Sequence, residues 1–432
     1  PYLGGTHLPD VTLIAPVFVE DGLRAFVVNR AHHADIGAAS PGSMPISSRL
    51  EQEGMVIAPK HLVRDGEVLS AVLRQVTEAT RNRVESEGDF AAQVAANRAG
   101  MARLGELIRR YGSNGFAGGI EELNDYAERL AGEALAGIPD GRYTFTDYLD
   151  DDGQGQRDIP IVVTLSVAGR CVTANFTGTA AQVTGNVNCP LAVAAAAVYY
   201  VFRCLMPPQT PACAGAFRPI QLRAPQGCLL NARKPAAVAA GNVETSTRVV
   251  DAVLGALAQA VPERVPAASH GSMNNLAMGS ADLAAPWNYY ETIGGGMGAG
   301  ATGGGLHGVQ THMTNTLNTP VEILESRYPV RVLGYGLRPG SGGAGEHRGG
   351  DGLSREFEFL AAAHFTLLTE RRSHAPWGIA GGGDAQPGCN LLNGVLLPAK
   401  CEGELRAGDR LRVETPGGGG YGAEKRASKG GM

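Results

Sequence analysis

Two short segments near the start of the chain carry the residues best suited to chemistry: Gly4-Gly5-Thr6-His7-Leu8-Pro9-Asp10 and Asn29-Arg30-Ala31-His32-His33-Ala34-Asp35-Ile36-Gly37. They hold three of the ten histidines and two carboxylates. Imidazole and carboxylate groups suit borderline and hard divalent cations such as Zn²⁺ or Mn²⁺. A His-x-x-Asp arm facing one further histidine supplies three protein ligands and leaves a position open for water. The same residues also serve as hydrogen-bonding groups at strand ends, and spacing alone leaves both readings standing.

What lies between the two segments must position them. Residues 11–19 and 23–28 are rich in Val, Ile, Leu and Phe, and Asp21-Gly22 is a turn dipeptide, so the stretch predicts a β-hairpin. Closed at that turn, the register sets Asp10 opposite His32 or His33, about 5 Å away. Neighbouring strand residues point to opposite faces, so only one of the two histidines shares a site with Asp10. The pattern does not choose between them.

These segments, with Pro41-Gly42-Ser43-Met44-Pro45 after them, resemble the hydantoinase B/oxoprolinase family, and the resemblance runs from Pro1 to Gly422. It implies the B-type subunit of an ATP-dependent hydrolase acting on a cyclic amide such as a hydantoin, 5-oxoproline or a lactam. By that analogy His7, Asp10 and His32 bind a divalent metal, zinc or manganese, while His33 and Asp35 act in catalysis by orientation or proton transfer. Glu244, His312 and Asn318 are implied as substrate-binding residues. A separate A-type subunit would bind ATP and phosphorylate the amide oxygen, after which hydroxide generated at the metal attacks the activated carbon. The resemblance also implies a cytoplasmic hetero-oligomer such as A2B2. The family is similar to the large subunits of acetone and acetophenone carboxylases, so a carboxylase subunit is the second enzymatic reading and a non-catalytic structural partner the third. Beginning at Pro1, inside what resembles a longer motif, the chain is expected to lack an N-terminal region that relatives carry. Some relatives draw a further carboxylate ligand from that region.

Composition narrows the alternatives. A chain of 432 residues with 44% hydrophobic and 18% charged residues is an ordinary globular sequence, long enough for several cores. A formal net charge of −5 gives no footprint for nucleic acid. No apolar run reaches the ~18 residues of a membrane span. The G-x-x-x-x-G-K-[ST] phosphate loop is absent, which leaves nucleotide binding to a partner. Seven cysteines without C-x-x-C spacing predict reduced, mostly buried thiols. Ser269-His270 lacks an evident acid to complete a hydrolase triad. Glycine is abundant, 61 residues with clusters at 294–305, 340–352, 381–383 and 417–420, and predicts places where backbone closely approaches a substrate or a neighbouring subunit.

Periodicity predicts an α+β, multi-lobed subunit. Helices are expected over 69–83, over 90–111 with Asp89 as cap, over 120–136, over 191–205 and from about Thr245 onward. Strands are expected over 143–145, 159–167 and 170–176. Short strands over 330–337, 353–360, 365–370, 391–397 and 410–414 fit a β-rich C-terminal sandwich or barrel. The units read as 1–65 (hairpin and loop), 66–140 (helical), 141–325 (α/β with the Gly-rich loop), 326–422 (β-rich) and a tail over 423–432. Asp147, Asp150, Asp151 and Asp152 read as a solvated turn and Arg371-Arg372 as a solvated pair. Glu244 and Arg248, four apart, read as mutual partners. The small polar residues from Gly178 to Asn188 read as an ordinary capped helix entry or as a cradle for an anionic or carbonyl ligand.

Overall fold

Strands β1 (Asp10–Val19) and β2 (Gly22–His32) form the expected antiparallel ribbon, but its turn lies one residue early. Glu20 and Asp21 take the left-handed conformation, with φ of 52° and 58°, and Val19 pairs with Gly22. Continued unchanged, that register would set Asp10 against Ala31. A bulge at Arg24, between the pairs Phe18↔Leu23 and Val17↔Ala25, adds one residue to β2 and resets the ladder to Asp10↔His32. Alternate residues then divide by face. Val11, Val17 and Val19 are buried, while Ile14, Phe18, Phe26 and Val28 are exposed on the other side.

The computed structural model describes residues 1–38, 40–282 and 286–424, so all but the first two residues of the expected tail lie outside it. After the ribbon, a minimal hairpin, β3 (Val63–Arg64) and β4 (Glu67–Val68), leads to helices α1 (Ser70–Thr77) and α2 (Arg83–Ala136). The two helices expected over 90–111 and 120–136 are one. The cap is Asn82 rather than Asp89, its side chain accepting from the Glu85 N–H, and the segments join through a kink at Gly112, where φ is 71°. The ribbon's buried face packs on α2.

Strands β5 (Gly141–Asp151), β6 (Arg157–Ala168), β7 (Cys171–Asn175) and β8 (Ile220–Arg223) form one sheet in that order. Helix α3 (Leu191–Leu205) crosses from β7 to β8, which makes that pair parallel. With α4 (Ser246–Leu257) it buries Val163, Leu165, Val193, Val198, Val250 and Val253 in the first core. The second core lies between two open sheets. Strands β9 (Asn275–Ser280) and β10 (Asn288–Glu291) come first, then helix α5 (Val321–Arg327) and strand β11 (Val330–Arg338). Strands β12 (Gly352–Phe359), β13 (Ala363–Leu368), β14 (Cys389–Leu392), β15 (Val395–Leu397), β16 (Lys400–Leu405) and β17 (Arg410–Glu414) complete them. One sheet runs β10-β9-β13-β16 and the other β11-β12-β17-β14-β15, with Leu276, Met278, Phe357, Phe359, Leu367 and Val413 packed between. The β-rich end is therefore a sandwich, not a closed barrel, and β9 and β10 join it from before residue 326.

Several polar residues are placed otherwise than their types suggest. Asp147, Asp150 and Asp152 are buried, not in a solvated turn. Asp147 takes Arg371 in a two-pronged pair at 3.2 and 2.8 Å, and Arg371 also reaches Asp251 at 2.6 Å. Arg371 is thus buried rather than solvated, while Arg372 donates to Asn274 and Asn390. Arg248 lies 3.3 Å from the Glu370 carboxylate, which Lys400 also contacts at 2.5 Å, so Arg248 pairs with Glu370 and not with Glu244. Charges removed from water persist only when paired, and this network ties β5, α4 and the end of β13 together. Of the seven thiols, all free, only Cys189 and Cys228 are buried; Cys171 and Cys204 are exposed, because alternate positions of β7 and the outer side of α3 face solvent.

The glycine clusters approach one another. Gly418 N–H donates to Gly350, Gly343 N–H to Gly418, and Gly420 N–H to Gly383, each at 2.9 Å. A side chain on Gly349 would collide with the Gly418 carbonyl oxygen, and one on Gly418 with that of Met297. The loop from Gly178 to Asn188 also turns inward. Asn188 donates to the carbonyls of Val183, Gly185 and Ala237, and α3 begins at Pro190 without a side-chain cap. No helix among the described residues is long and apolar enough to cross a membrane. Replacing Arg371 with Met leaves Asp147 and Asp251 buried beside an apolar chain, and a loss of about 3–5 kcal/mol is expected from urea unfolding. A loss under ~1 kcal/mol would show that the pairing is not what holds these elements.

Candidate metal centre

The root of the ribbon closes into a tight turn: Asp10 N–H donates to the His7 carbonyl at 3.2 Å and His33 N–H to that of Pro9 at 2.8 Å. The turn swings His7 beside Asp10, while the register sets His32 across from it. His7 Nε2 lies 3.1 Å from Asp10 Oδ1, His32 Nδ1 lies 3.3 Å from the same oxygen, and the two nitrogens are 3.3 Å apart. Donor atoms about 2.1 Å from one ion stand about 3.4 Å apart in a tetrahedron and about 3.0 Å apart at adjacent corners of an octahedron. The observed triangle lies between these, so the donor set fits zinc or manganese. It is the one such cluster among the described residues.

Surrounding groups aim these atoms. His7 Nδ1 donates to the Ala239 carbonyl at 3.2 Å, which in a neutral imidazole leaves the Nε2 lone pair facing the triangle. Thr6 Oγ1 at 2.5 Å and Asn242 Nδ2 at 3.3 Å both donate to Asp10 Oδ2, leaving Oδ1 for the centre. Burial opposes ionisation of Asp10, yet its contacts with His32, His7 and Thr6 outweigh burial and hold its carboxyl well below the usual carboxylate range. Asn242 sits on a single π-helical turn, Gly241–Thr245, that opens into α4. Such wide turns often serve sites, because they throw side chains out of helical register.

Two buried glutamic acids stand behind the imidazoles. Glu53 accepts from the N–H groups of Val238 and Ala239 at 2.8 and 2.9 Å, next to the carbonyl that holds His7. Burial pushes its carboxyl up to about 7 despite those donors. Glu244 accepts from Asn275 Nδ2 at 2.7 Å and Met273 N–H at 3.0 Å. Burial first, then the charge of Glu370, pushes it up to about 8. Tyr290 hydroxyl donates to Asn275 Oδ1 at 2.5 Å, and its ring stacks on His32 with centroids 5.3 Å apart.

The structure brings together His7, Asp10 and His32 and leaves the other five candidates outside the triangle. His33 turns to the opposite face, where its Nε2 donates to Gln93 Oε1 at 2.9 Å. Asp35 accepts from Gly37 N–H at 2.8 Å, Ser43 hydroxyl at 3.1 Å and Arg81 N–H at 2.6 Å, which shapes the loop after β2. Glu244 is wholly buried behind Asn275. His312 lies against Tyr200, Nδ1 to hydroxyl 3.4 Å, and Asn318 joins Thr292 and Tyr335 at 3.0 and 2.9 Å. Residue types alone gave no reason to single out Glu53, Asn242, Asn275 or Tyr290. Asn242 and Glu244 share one short polar run, Gly241-Asn242-Val243-Glu244-Thr245, and that run was the available signal for Asn242.

A mixed α/β chain with an imidazole–carboxylate pocket at the root of an antiparallel ribbon is the class that fold and site define. The hydantoinase B/oxoprolinase profile matches residues 1–424, and the chain belongs to that family. A 5-oxoprolinase from Arabidopsis thaliana is 38% identical over 455 residues, which take in 98% of this chain and 35% of that protein. The chain thus spans about a third of the length of the 5-oxoprolinases it matches. The crystal structure of the ATP-dependent caprolactamase from Pseudomonas jessenii is similar with a TM-score of 0.87 at 28% identity, covering 97% of this chain and 75% of that one. Nucleotide-free acetone carboxylase shares the fold, with a TM-score of 0.84 at 16% identity over 98% of this chain and 64% of its own.

Inserting one alanine between Ala25 and Phe26 adds a second extra residue to β2, so Asp10 is expected to face Ala31 while His32 turns toward α2. Titration with Zn²⁺ should then show binding lost, and unchanged affinity would contradict the register argument. Glu244 is neutral when folded and ionised when unfolded between its ordinary value of 4.5 and about 8. Its contribution is full below the lower value and lost as pH rises through the upper one. Glu244→Gln should flatten the fall in melting temperature between pH 5 and 8.5, and a curve parallel to wild type would count against it.

Proposed function

We propose that this chain is the B-type subunit, or B-type part, of an ATP-dependent enzyme that opens a cyclic amide such as a hydantoin, 5-oxoproline or a lactam. The observation that carries the reading is the convergence of His7 Nε2, Asp10 Oδ1 and His32 Nδ1 within 3.1–3.3 Å of one another. The names of a 38%-identical 5-oxoprolinase and a 28%-identical caprolactamase support the hydrolytic chemistry. Likeness to acetone carboxylase at 16% identity concerns the fold alone.

Bound at the triangle, a divalent zinc or manganese ion supplies Lewis acidity and acidifies water near neutral pH. The chain's own residues prepare for that. The Ala239 carbonyl fixes the His7 tautomer, and Thr6 and Asn242 orient the Asp10 carboxylate. His33 and Asp35 act by orientation, His33 through Gln93 on α2 and Asp35 through the loop that follows β2. Amide resonance makes the ring carbonyl a poor electrophile, so activation by ATP is assigned to an A-type partner subunit in a cytoplasmic hetero-oligomer such as A2B2. The absence of a phosphate loop from this sequence agrees with that division.

The test is the complex with an A-type subunit, given ATP and 5-oxoproline, hydantoin or caprolactam, with metal content measured in parallel. Asp10→Ala should strip zinc or manganese and lower ATP-dependent ring opening on the order of 100-fold or more. Product formed only with bicarbonate, and carrying its carbon, would mark a carboxylase instead. Protein that neither holds nor acquires zinc or manganese would leave a structural partner.

A further inference from the structure

His32 is the least enclosed of the three candidate ligands, its side chain 32% exposed at the last position of β2. Contacts to Asp10 and His7 locate its Nδ1 atom but leave the ring free to turn about that point. The plane of the ring is met by Tyr290 on β10, stacked at 5.3 Å between centroids and 29° between planes. Tyr290 is itself anchored. Its hydroxyl donates to Asn275 Oδ1 at 2.5 Å. Asn275, 1% exposed, spends its amide hydrogens on Glu244 Oε1 at 2.7 Å and the Leu368 carbonyl at 3.1 Å. Both of those partners are acceptors, so the amide has one orientation and its oxygen must face Tyr290. Glu244 is in turn fixed by Met273 N–H at 3.0 Å. One directional chain therefore runs from the buried start of α4 through β9 and β10 to the exposed end of the ribbon.

We propose that Tyr290 is a positioning residue of the metal centre, its ring setting the plane of His32 and its hydroxyl locking that ring to the core through Asn275 and Glu244. The inference rests on the metal reading given above. It goes further in assigning the orientation of one ligand to a sandwich strand remote from the ribbon in sequence. A tyrosine that merely filled space would be replaceable by phenylalanine without effect on a bound ion. A positioning tyrosine would not, because loss of the hydroxyl frees the ring to slide.

The experiment uses the full chain stripped of metal and titrated with Co²⁺, whose visible absorption reports ligand geometry. Tyr290→Leu is expected to weaken Co²⁺ binding by ~10–100-fold and to shift the absorption band, the range usual for groups that orient metal-binding imidazoles. Tyr290→Phe and Asn275→Ala are expected to weaken it several-fold each, and the double variant no more than either alone, because they break the same chain. Should Tyr290→Leu fail to fold, the two milder variants and their combination decide the matter. Wild-type affinity and spectrum in Tyr290→Phe and Asn275→Ala would overturn the inference while leaving the metal reading intact. Wild-type protein that binds no Co²⁺, Zn²⁺ or Mn²⁺ would overturn both.

Discussion

The pairing of Asp10 with His32 across the ribbon is the constraint on which the candidate site depends. Side chains along a strand alternate with period two, so a slip of one residue sends a whole row to the other face. A two-residue turn at Glu20 and Asp21 by itself yields the wrong parity, and the bulge at Arg24 restores it. Helix α2 then holds both strands in place. Gln93 donates to the Val11 carbonyl at 3.0 Å and to Asn29 Oδ1 at 2.9 Å, while its own oxygen accepts from His33. The histidine that does not join the triangle is thus part of the clamp that lets its neighbour do so.

The charge balance around the triangle follows from burial. Asp10 keeps its negative charge because donors surround it, whereas Glu53 and Glu244, more deeply enclosed, are biased toward the neutral acid. Against a divalent ion, as proposed above, one carboxylate and two imidazoles would leave about half of the ionic charge uncompensated and available to polarise a bound oxygen. Further inside, the carboxylates of Asp147, Asp251 and Glu370 are matched by Arg248, Arg371 and Lys400. Burial thus biases Glu53 and Glu244 toward the neutral acid, whereas at Asp147 the guanidinium groups of Arg371 and Arg248 outweigh burial and lower the carboxyl.

Much of this was legible in the sequence, because the relevant signals were local. The ribbon, the grouping of His7, Asp10 and His32, helix α3 and most C-terminal strands follow from alternation, turn residues and resemblance. What pattern could not supply was parity, since a bulge leaves no mark in composition, and the choice between His32 and His33 turned on it. Nor could spacing reveal that Asp147 and Arg371, far apart in sequence, neutralise each other inside the protein. Local charge rules assigned Arg248 to Glu244, but a buried carboxylate from Glu370 competes more strongly than a neighbour one helical turn away. Tyr290 and Asn275 matter through contacts between distant strands, which no local window contains.

The four glycine-rich runs also bear on how the molecule responds to temperature. Where they stack, peptide groups face peptide groups at close range, as between Gly349 and Gly418. Exposing peptide surface lowers the heat capacity of a chain, whereas exposing apolar surface raises it. The stacked region therefore adds little of the curvature that an oily core of equal size would give, and it forfeits little of its cohesion on cooling. Beside the apolar cores, its cohesion rests on peptide contacts more than on oily surface.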